Sequence, residues 1–174
     1  MGLPATSTGS TRKPPALSVW ALALGIALQA LVAQADPKLL PPQEAFRFSA
    51  RALDERTLEA RFSVTDGYYL YRDKMRFALE PEMTDIAVLL PPGKVKEDQF
   101  FGKVETYRGD LVVRVPLAQA AGKSVVLVAD SQGCADAGVC YPPTRQKVTL
   151  VVPEPGKGPG PAVEAYPRKK NWFN

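Results

Sequence analysis

The sequence contains no histidine. That absence excludes Ser-His-Asp and Cys-His catalysis, histidine metal sites and imidazole pH switching. Cysteine is almost as scarce: Cys134 and Cys140 are the only two, too few for a structural zinc site without histidine. Tryptophan is confined to Trp20 and Trp172, near the two ends. No stretch keeps a helical apolar period, and nothing after the first 35 residues is long and apolar enough to cross a bilayer. Charge of one sign is not in excess either. Setting Arg12 and Lys13 aside, the 22 basic residues become 20 against 18 acidic, a net charge of +2. This is no nucleic-acid surface.

Residues 1–35 read as an export signal. Arg12 and Lys13 form a positive start, Ala16 to Val32 is an uncharged apolar run, and Ala33-Gln34-Ala35 fits a small-x-small processing site. Cleavage after Ala35 is expected. The rival reading is an uncleaved anchor, because the charge-free run from Pro14 to Ala35 approaches the roughly 20 residues that span a bilayer. No cysteine follows the run, which argues against a lipid anchor. Export places Cys134 and Cys140 where a disulfide can persist, and the even count points to their pairing with each other.

After a Pro-rich lead-in at residues 36–43, short alternating segments follow one another. They include Phe46 to Phe48, Leu58 to Val64, Tyr68 to Tyr71, Met75 to Leu79, Ile86 to Leu90, Val104 to Tyr107, Leu111 to Val115, Ser124 to Ala129 and Lys147 to Val152. A period of two in segments rich in β-branched and aromatic residues predicts an all-β protein. So many short strands over residues 44–152 suggest a two-sheet sandwich. From Pro153 to Pro161 the chain turns Pro/Gly-rich and reads as an extended, mobile tether. Residues to 174 then form a basic-aromatic tail, read as a docking segment or a disordered end.

Both cysteines lie in the turn-rich stretch Gln132 to Pro143, where two readings stay open. A disulfide closing so short a loop stabilises by only roughly 2 to 2.5 kcal/mol, and it is a plain hairpin staple in the first reading. In the second it is redox-active: Ala135, Ala137 and Gly138 leave the sulfurs little side-chain cover, which suits a partner thiol approaching in line. Asp136 between the cysteines is either a turn residue bonding its own backbone or a charge that disfavours the thiolate. With no activating group in view, a redox-active pair is expected to react quickly only with a docked partner.

Three segments together resemble one family. They are Asp66-Gly67-Tyr68-Tyr69-Leu70-Tyr71-Arg72, then Asp98-Gln99-Phe100-Phe101-Gly102-Lys103 with Glu105 and Tyr107-Arg108, then Gln132 to Pro143. In that order they resemble the N-terminal periplasmic domain of DsbD, the bacterial thiol:disulfide interchange protein, over roughly residues 44 to 152. The resemblance implies an immunoglobulin-like sandwich whose Cys134–Cys140 pair cycles between dithiol and disulfide. It implies that Cys140 forms the mixed disulfide with a partner and that Cys134 resolves it. Asp98, Gln99, Phe100, Phe101 and Gly102 correspond to a cap loop in which the Phe100 ring lies over the disulfide, and Tyr69 and Tyr71 line the site. Without the resemblance, Phe100 and Phe101 read as core residues of a strand edge.

The implied partners are a thioredoxin-like reductant domain on one side, and a periplasmic disulfide isomerase or cytochrome c maturation thioredoxin on the other. No cofactor is implied, and a monomer is the default. Departures from the family pattern are Gln99, where a second acidic residue is common, and Val139, where an aromatic is common. The sequence to Asn174 carries no membrane electron-transfer domain and no thioredoxin-like domain, so the expectation is a free-standing module or a fragment. The leading expectation is therefore an exported thiol–disulfide oxidoreductase that acts only with partner domains. The alternative is a non-redox β-sandwich scaffold whose disulfide is a staple. A thiol-based metal carrier using the cysteines with Met75 or Met83 is weak, because their spacing is not ligand-like.

Overall fold

A computed structural model describes residues 38–80, 84–118, 120 and 122–167, with backbone alone at 84 and 85. Residues 1–37 with the expected export signal, Met83 and the tail from Arg168 lie outside the described residues. The elements run α1 (Pro42–Ala45), β1 (Phe46–Ala52), β2 (Thr57–Val64), β3 (Tyr68–Tyr71), β4 (Arg76–Glu80), β5 (Thr84–Asp85), β6 (Lys94–Asp98) and β7 (Gly102–Tyr107). They continue with β8 (Gly109–Pro116), β9 (Ser124–Ser131), β10 (Gly133–Ala135), β11 (Val139–Cys140), β12 (Thr144–Val151) and β13 (Val163–Glu164).

The alternation in the sequence becomes burial on one side of each strand. In β2 every second residue from Leu58 to Val64 is buried, and β8 and β12 repeat the pattern. Phe48 pairs with Phe62 across β1 and β2, their rings 4.8 Å apart. These rings join Leu58, Val113, Phe77, Leu127, Val148 and Leu150 in one core. Burying a side chain of this size stabilises by about 1.5–3 kcal/mol, so the period-two pattern fixes which face of each strand turns inward.

The first sheet has the order β13-β1-β2-β8, and every pairing in the fold is antiparallel. The opposing layer divides into two ladders, β12-β9-β4-β5 and β11-β10-β3-β7-β6. Consecutive strands cross from one ladder to the other. A 3-10 turn at Arg72–Lys74 separates β3 from β4, Gln132 alone separates β9 from β10, and residues 141–143 separate β11 from β12. The Tyr71 amide donates to the Gln132 carbonyl at 3.0 Å, carrying the pairing across the break. This second ladder holds all the chemistry-bearing residues.

Three expectations are corrected. Ile86 to Leu90 is not a strand: it keeps an alternating exposure but has no ladder beyond the Ile86 amide bond to the Phe77 carbonyl. Its end is held by side chains, with Arg72 donating to the Leu90 and Pro91 carbonyls at 3.1 Å each and Tyr107 donating to Pro91. The stretch around the cysteines, read as a loop, is a hairpin of two short strands. The Pro/Gly-rich tether is not free: the Gly160 amide donates to Ala52, Val163 and Glu164 pair with Ala50 and Ser49, and the Ala165 amide donates to Phe48. Unused backbone groups on the outer edge of β1 outweigh the intrinsic extension of the segment.

Candidate functional site

Strand β3 is buried on both faces. Tyr68 and Leu70 enter the sandwich core, while Tyr69 and Tyr71 form a second small cluster with Cys134, against which Val104 and Cys140 pack. The pairing register explains the gathering: Gly133 lies opposite Leu70, Cys134 opposite Tyr69, and Cys134 also opposite Cys140. Gly133 is required by space. A Cβ there would collide with the Tyr69 carbonyl oxygen and come within 2.7 Å of Phe46 Cζ. Gly138, at φ 82°, supplies the left-handed residue that closes the turn after Asp136 and Ala137.

Cys134 and Cys140 form a disulfide across the hairpin, with their Cα atoms 4.0 Å apart. The Tyr141 amide donates to the Gly133 carbonyl at 3.0 Å, which makes the cysteines a non-hydrogen-bonded cross-strand pair. The N–H and C=O of Cys140 therefore turn away from the hairpin, toward the open side of edge strand β11. The two sulfurs are unequal: Cys134 is fully buried, whereas Cys140 is only half-buried. The expectation of little side-chain cover thus fails for Cys134, because the cover comes from β3 rather than from the hairpin turn. The Tyr71 hydroxyl lies 3.1 Å from Cys134 Sγ and 3.7 Å from Cys140 Sγ. Burial, with Tyr69 and Asp98 beside it, pushes Tyr71 well above the ordinary phenol range, so it remains a donor.

Asp98 organises the turn between β6 and β7. Its carboxylate accepts the Tyr69 hydroxyl at 2.7 Å and the amides of Phe100 and Phe101 at 2.9 and 3.2 Å, with Lys96 Nζ at 3.5 Å. Burial alone would push this carboxyl up, but the Tyr69 hydroxyl and the two amides outweigh it and hold it at about 2. Phe100 and Phe101 are 53% and 44% exposed, so the strand-edge core reading fails for both. Phe101 sets its ring edge-on against Tyr71 at 5.1 Å, and Lys74 Nζ lies 4.7 Å from the Phe101 ring centre. Gln99 reaches the hairpin, its Nε2 3.4 Å from where a Cβ on Gly138 would stand. Gly102, at φ 69°, ends the turn.

Asp136 does not bond its own backbone. Its carboxylate takes a bidentate pair from Arg108, at 2.9 and 2.5 Å, and its amide donates to the Gly67 carbonyl. The Arg108 bond holds Asp136 below the usual carboxylate range despite partial burial. Arg108 also lies 5.0 Å from the Tyr69 ring centre, and Lys96 lies 4.7 Å from it. Tyr69 and Tyr71 meet edge to face at 5.5 Å. Among the described residues, no group of three or more Cys, Asp or Glu is arranged to hold a metal ion.

A family profile described as "Thiol:disulfide interchange protein DsbD, N-terminal" matches residues 36–152. The chain belongs to the DsbD N-terminal domain family. Among DsbD proteins, that of Ralstonia nicotianae is 48% identical over 133 residues, covering 75% of this chain and 22% of its own length. One from Pseudomonas aeruginosa, DsbD 2, is 41% identical over 128 residues, covering 71% and 19%. The chain thus spans about a fifth of the length of these curated relatives. The reduced DsbD N-terminal domain of Neisseria meningitidis superposes with a TM-score of 0.60 at 34% identity, covering 72% of this chain and 94% of that one. A second Neisseria structure, of the complex between the DsbD N-terminal and PilB N-terminal domains, matches with a TM-score of 0.54 at 37% identity, covering 64% and 87%.

The Cys134–Cys140 disulfide thus lies in an immunoglobulin-like domain whose family is named for thiol:disulfide interchange. All ten residues singled out from the sequence fall on one side of the β11-β10-β3-β7-β6 ladder or on its connecting turns. Residues whose part went unnoticed are Arg108, Lys96 and Lys74. Arg108 was quoted only as part of the resemblance, and Lys96 and Lys74 carried a faint signal, each a cation within two residues of an acidic one.

Proposed function

We propose that the domain is an exported, periplasmic relay that takes electrons from a thioredoxin-like reductant and hands them to disulfide-bearing protein partners. The reading rests on one observation, the asymmetry between buried Cys134 and half-buried Cys140. To load the domain, a donor thiolate attacks Cys140 Sγ, and Cys134 leaves as the thiolate beside the Tyr71 hydroxyl. A second donor thiolate then attacks the donor's own sulfur in the mixed disulfide. Cys140 is released, and the donor leaves as a disulfide, two electrons poorer. Unloading runs in the opposite sense. The Cys140 thiolate attacks a partner disulfide and expels one partner thiolate. Cys134 then attacks Cys140 Sγ, releasing the second and restoring the internal disulfide.

The outward N–H and C=O of Cys140 and the exposed Phe100, Phe101 and Val139 supply a place for a partner to dock. The Neisseria complex, which joins a DsbD N-terminal domain to a PilB N-terminal domain, supports a partner that binds this kind of domain directly. A disulfide isomerase and a cytochrome c maturation thioredoxin are the acceptor classes the family suggests.

Trapping tests the proposal. A Cys134→Ala domain, incubated with a disulfide-bonded thioredoxin-like partner, should accumulate a mixed disulfide through Cys140, and a Cys140→Ala domain should not. The reduction potential of the wild-type pair is expected above about −300 mV, among the exchange couples. A pair that resists reduction well below that value, with no trapped complex, would make the disulfide a staple and restore the scaffold reading.

A further inference from the structure

The register that pairs Leu70 with Tyr107 and Tyr71 with Thr106 places Arg108 opposite Tyr69. One row therefore crosses the ladder from Cys140 through Cys134 and Tyr69 to Arg108. From the end of that row the Arg108 guanidinium reaches three separate parts of the site. It grips both carboxylate oxygens of Asp136, donates to the Tyr68 carbonyl at 3.1 Å, and lies over the Tyr69 ring. Asp136 occupies the turn between the two cysteines, so the grip ties that turn to the end of β7 across β3, the strand that carries Tyr69.

We propose that Arg108 is a positioning residue of the exchange site, which fixes the turn between the cysteines and cancels the charge of Asp136 that would otherwise oppose the reactive thiolate. The inference rests on the exchange reading above. A planar fork matched to two carboxylate oxygens suits this task, because it sets orientation as well as charge. Other charged or titratable groups facing the sulfurs and their tyrosines are Asp98 and Lys96 of β6, Tyr69 and Tyr71 of β3, and Lys74 beside Phe101. Asp98 is already paired with Lys96 and Tyr69. The charge in the cysteine turn itself is met first by Arg108, through its hydrogen bonds, with Lys96 adding a weaker attraction.

The test is the pH profile of iodoacetamide alkylation of Cys140 in the reduced domain, for wild type, Arg108→Ala, Asp136→Asn and the double variant. Losing Arg108 should move the profile to higher pH and slow alkylation at neutral pH by about threefold, half of the tenfold carried by one pKa unit on a logarithmic scale. Losing the Asp136 charge should move it the other way, and the double variant should fall between the two. Arg108→Lys keeps the charge without the fork and should lie between wild type and Arg108→Ala. Single-variant shifts of the same sign, or no shift in either, would overturn the proposal. Asp136→Asn removes no buried group and keeps the test open should Arg108→Ala fail to fold. Wild-type reduction of a thioredoxin-like partner disulfide, measured alongside, separates the two levels: its failure would count against the exchange reading, whereas unsplit variants with an active wild type count against Arg108 alone.

Discussion

The Tyr71 hydroxyl stands 3.1 Å from Cys134 Sγ, and both residues are closed to solvent. A disulfide sulfur carries no hydrogen, so the tyrosine is the donor. When Cys134 departs as a thiolate, that same bond becomes charge-assisted. Tyr71→Phe keeps the ring and removes the donor. Hydrogen bonds to charged groups contribute about 1.5–3 kcal/mol, so reduction of the domain by dithiothreitol should slow by at least tenfold. Rapid-quench alkylation reads this directly, and an unchanged rate would remove Tyr71 from the leaving-group role.

Asp98 predicts a pH limb in stability. Its carboxyl sits at about 2 in the folded protein, against about 3.9 in an unfolded chain. A lowered folded value stabilises above the unfolded value, and the contribution is lost as pH falls from about 4 through about 2. Chemical denaturation across that range should show the limb in the wild type, and Asp98→Asn should flatten it.

The same residue anchors the turn that carries Phe100 and Phe101. Asp98→Ala frees two amides and the Tyr69 hydroxyl. Reduction by a small thiol should then speed up several-fold, because the Phe101 ring is no longer held against Tyr71. Phe101→Ala should do the same with little loss of global stability, since the ring is 44% exposed. Comparing dithiothreitol kinetics with thermal melts of the two variants separates shielding from folding.

Gly133→Ala places a methyl group against the Tyr69 carbonyl and the Phe46 ring. Overpacking of this kind costs about 1–3 kcal/mol, and here one of the obstacles is backbone. Urea denaturation should show a loss toward the upper end, together with displaced pairing of Cys134.

The lead-in is fastened to the residue that follows Cys140. Tyr141 donates to the Leu40 carbonyl at 2.6 Å, and the Leu40 amide donates to the Tyr68 hydroxyl at 2.8 Å. Burial, with Tyr68 alongside, pushes Tyr141 up to about 12. Tyr141→Phe keeps the edge-on contact with Phe46 at 5.5 Å and should cost about 1 kcal/mol. Limited proteolysis before residue 42 should become faster in that variant.

The long strands were legible because burial enforces a period of two, as in Leu58-Glu59-Ala60-Arg61-Phe62. Strands β10 and β11 have three and two residues, too few to show any period, and the turn residues around them pointed to a loop. Strand β6 is Lys94-Val95-Lys96-Glu97-Asp98, a charged edge whose partner is set by β7. Ile86 to Leu90 has the right pattern and no neighbour to pair with. At the site, the cysteines and tyrosines were visible as residue types. The Arg108–Asp136 pair, separated by 28 residues, depends on a cross-strand register that no local pattern carries.

The family profile ends at Val152, yet Val163 and Glu164 occupy the flank of β1. An unoccupied strand flank is a template on which a second molecule can extend the sheet. A recombinant version trimmed at Val152 would expose that flank, and size-exclusion chromatography is expected to show it self-associating with its cysteines intact. A form that runs to Ala165 keeps that flank paired, and the segment that looked like a spacer serves as its selvedge.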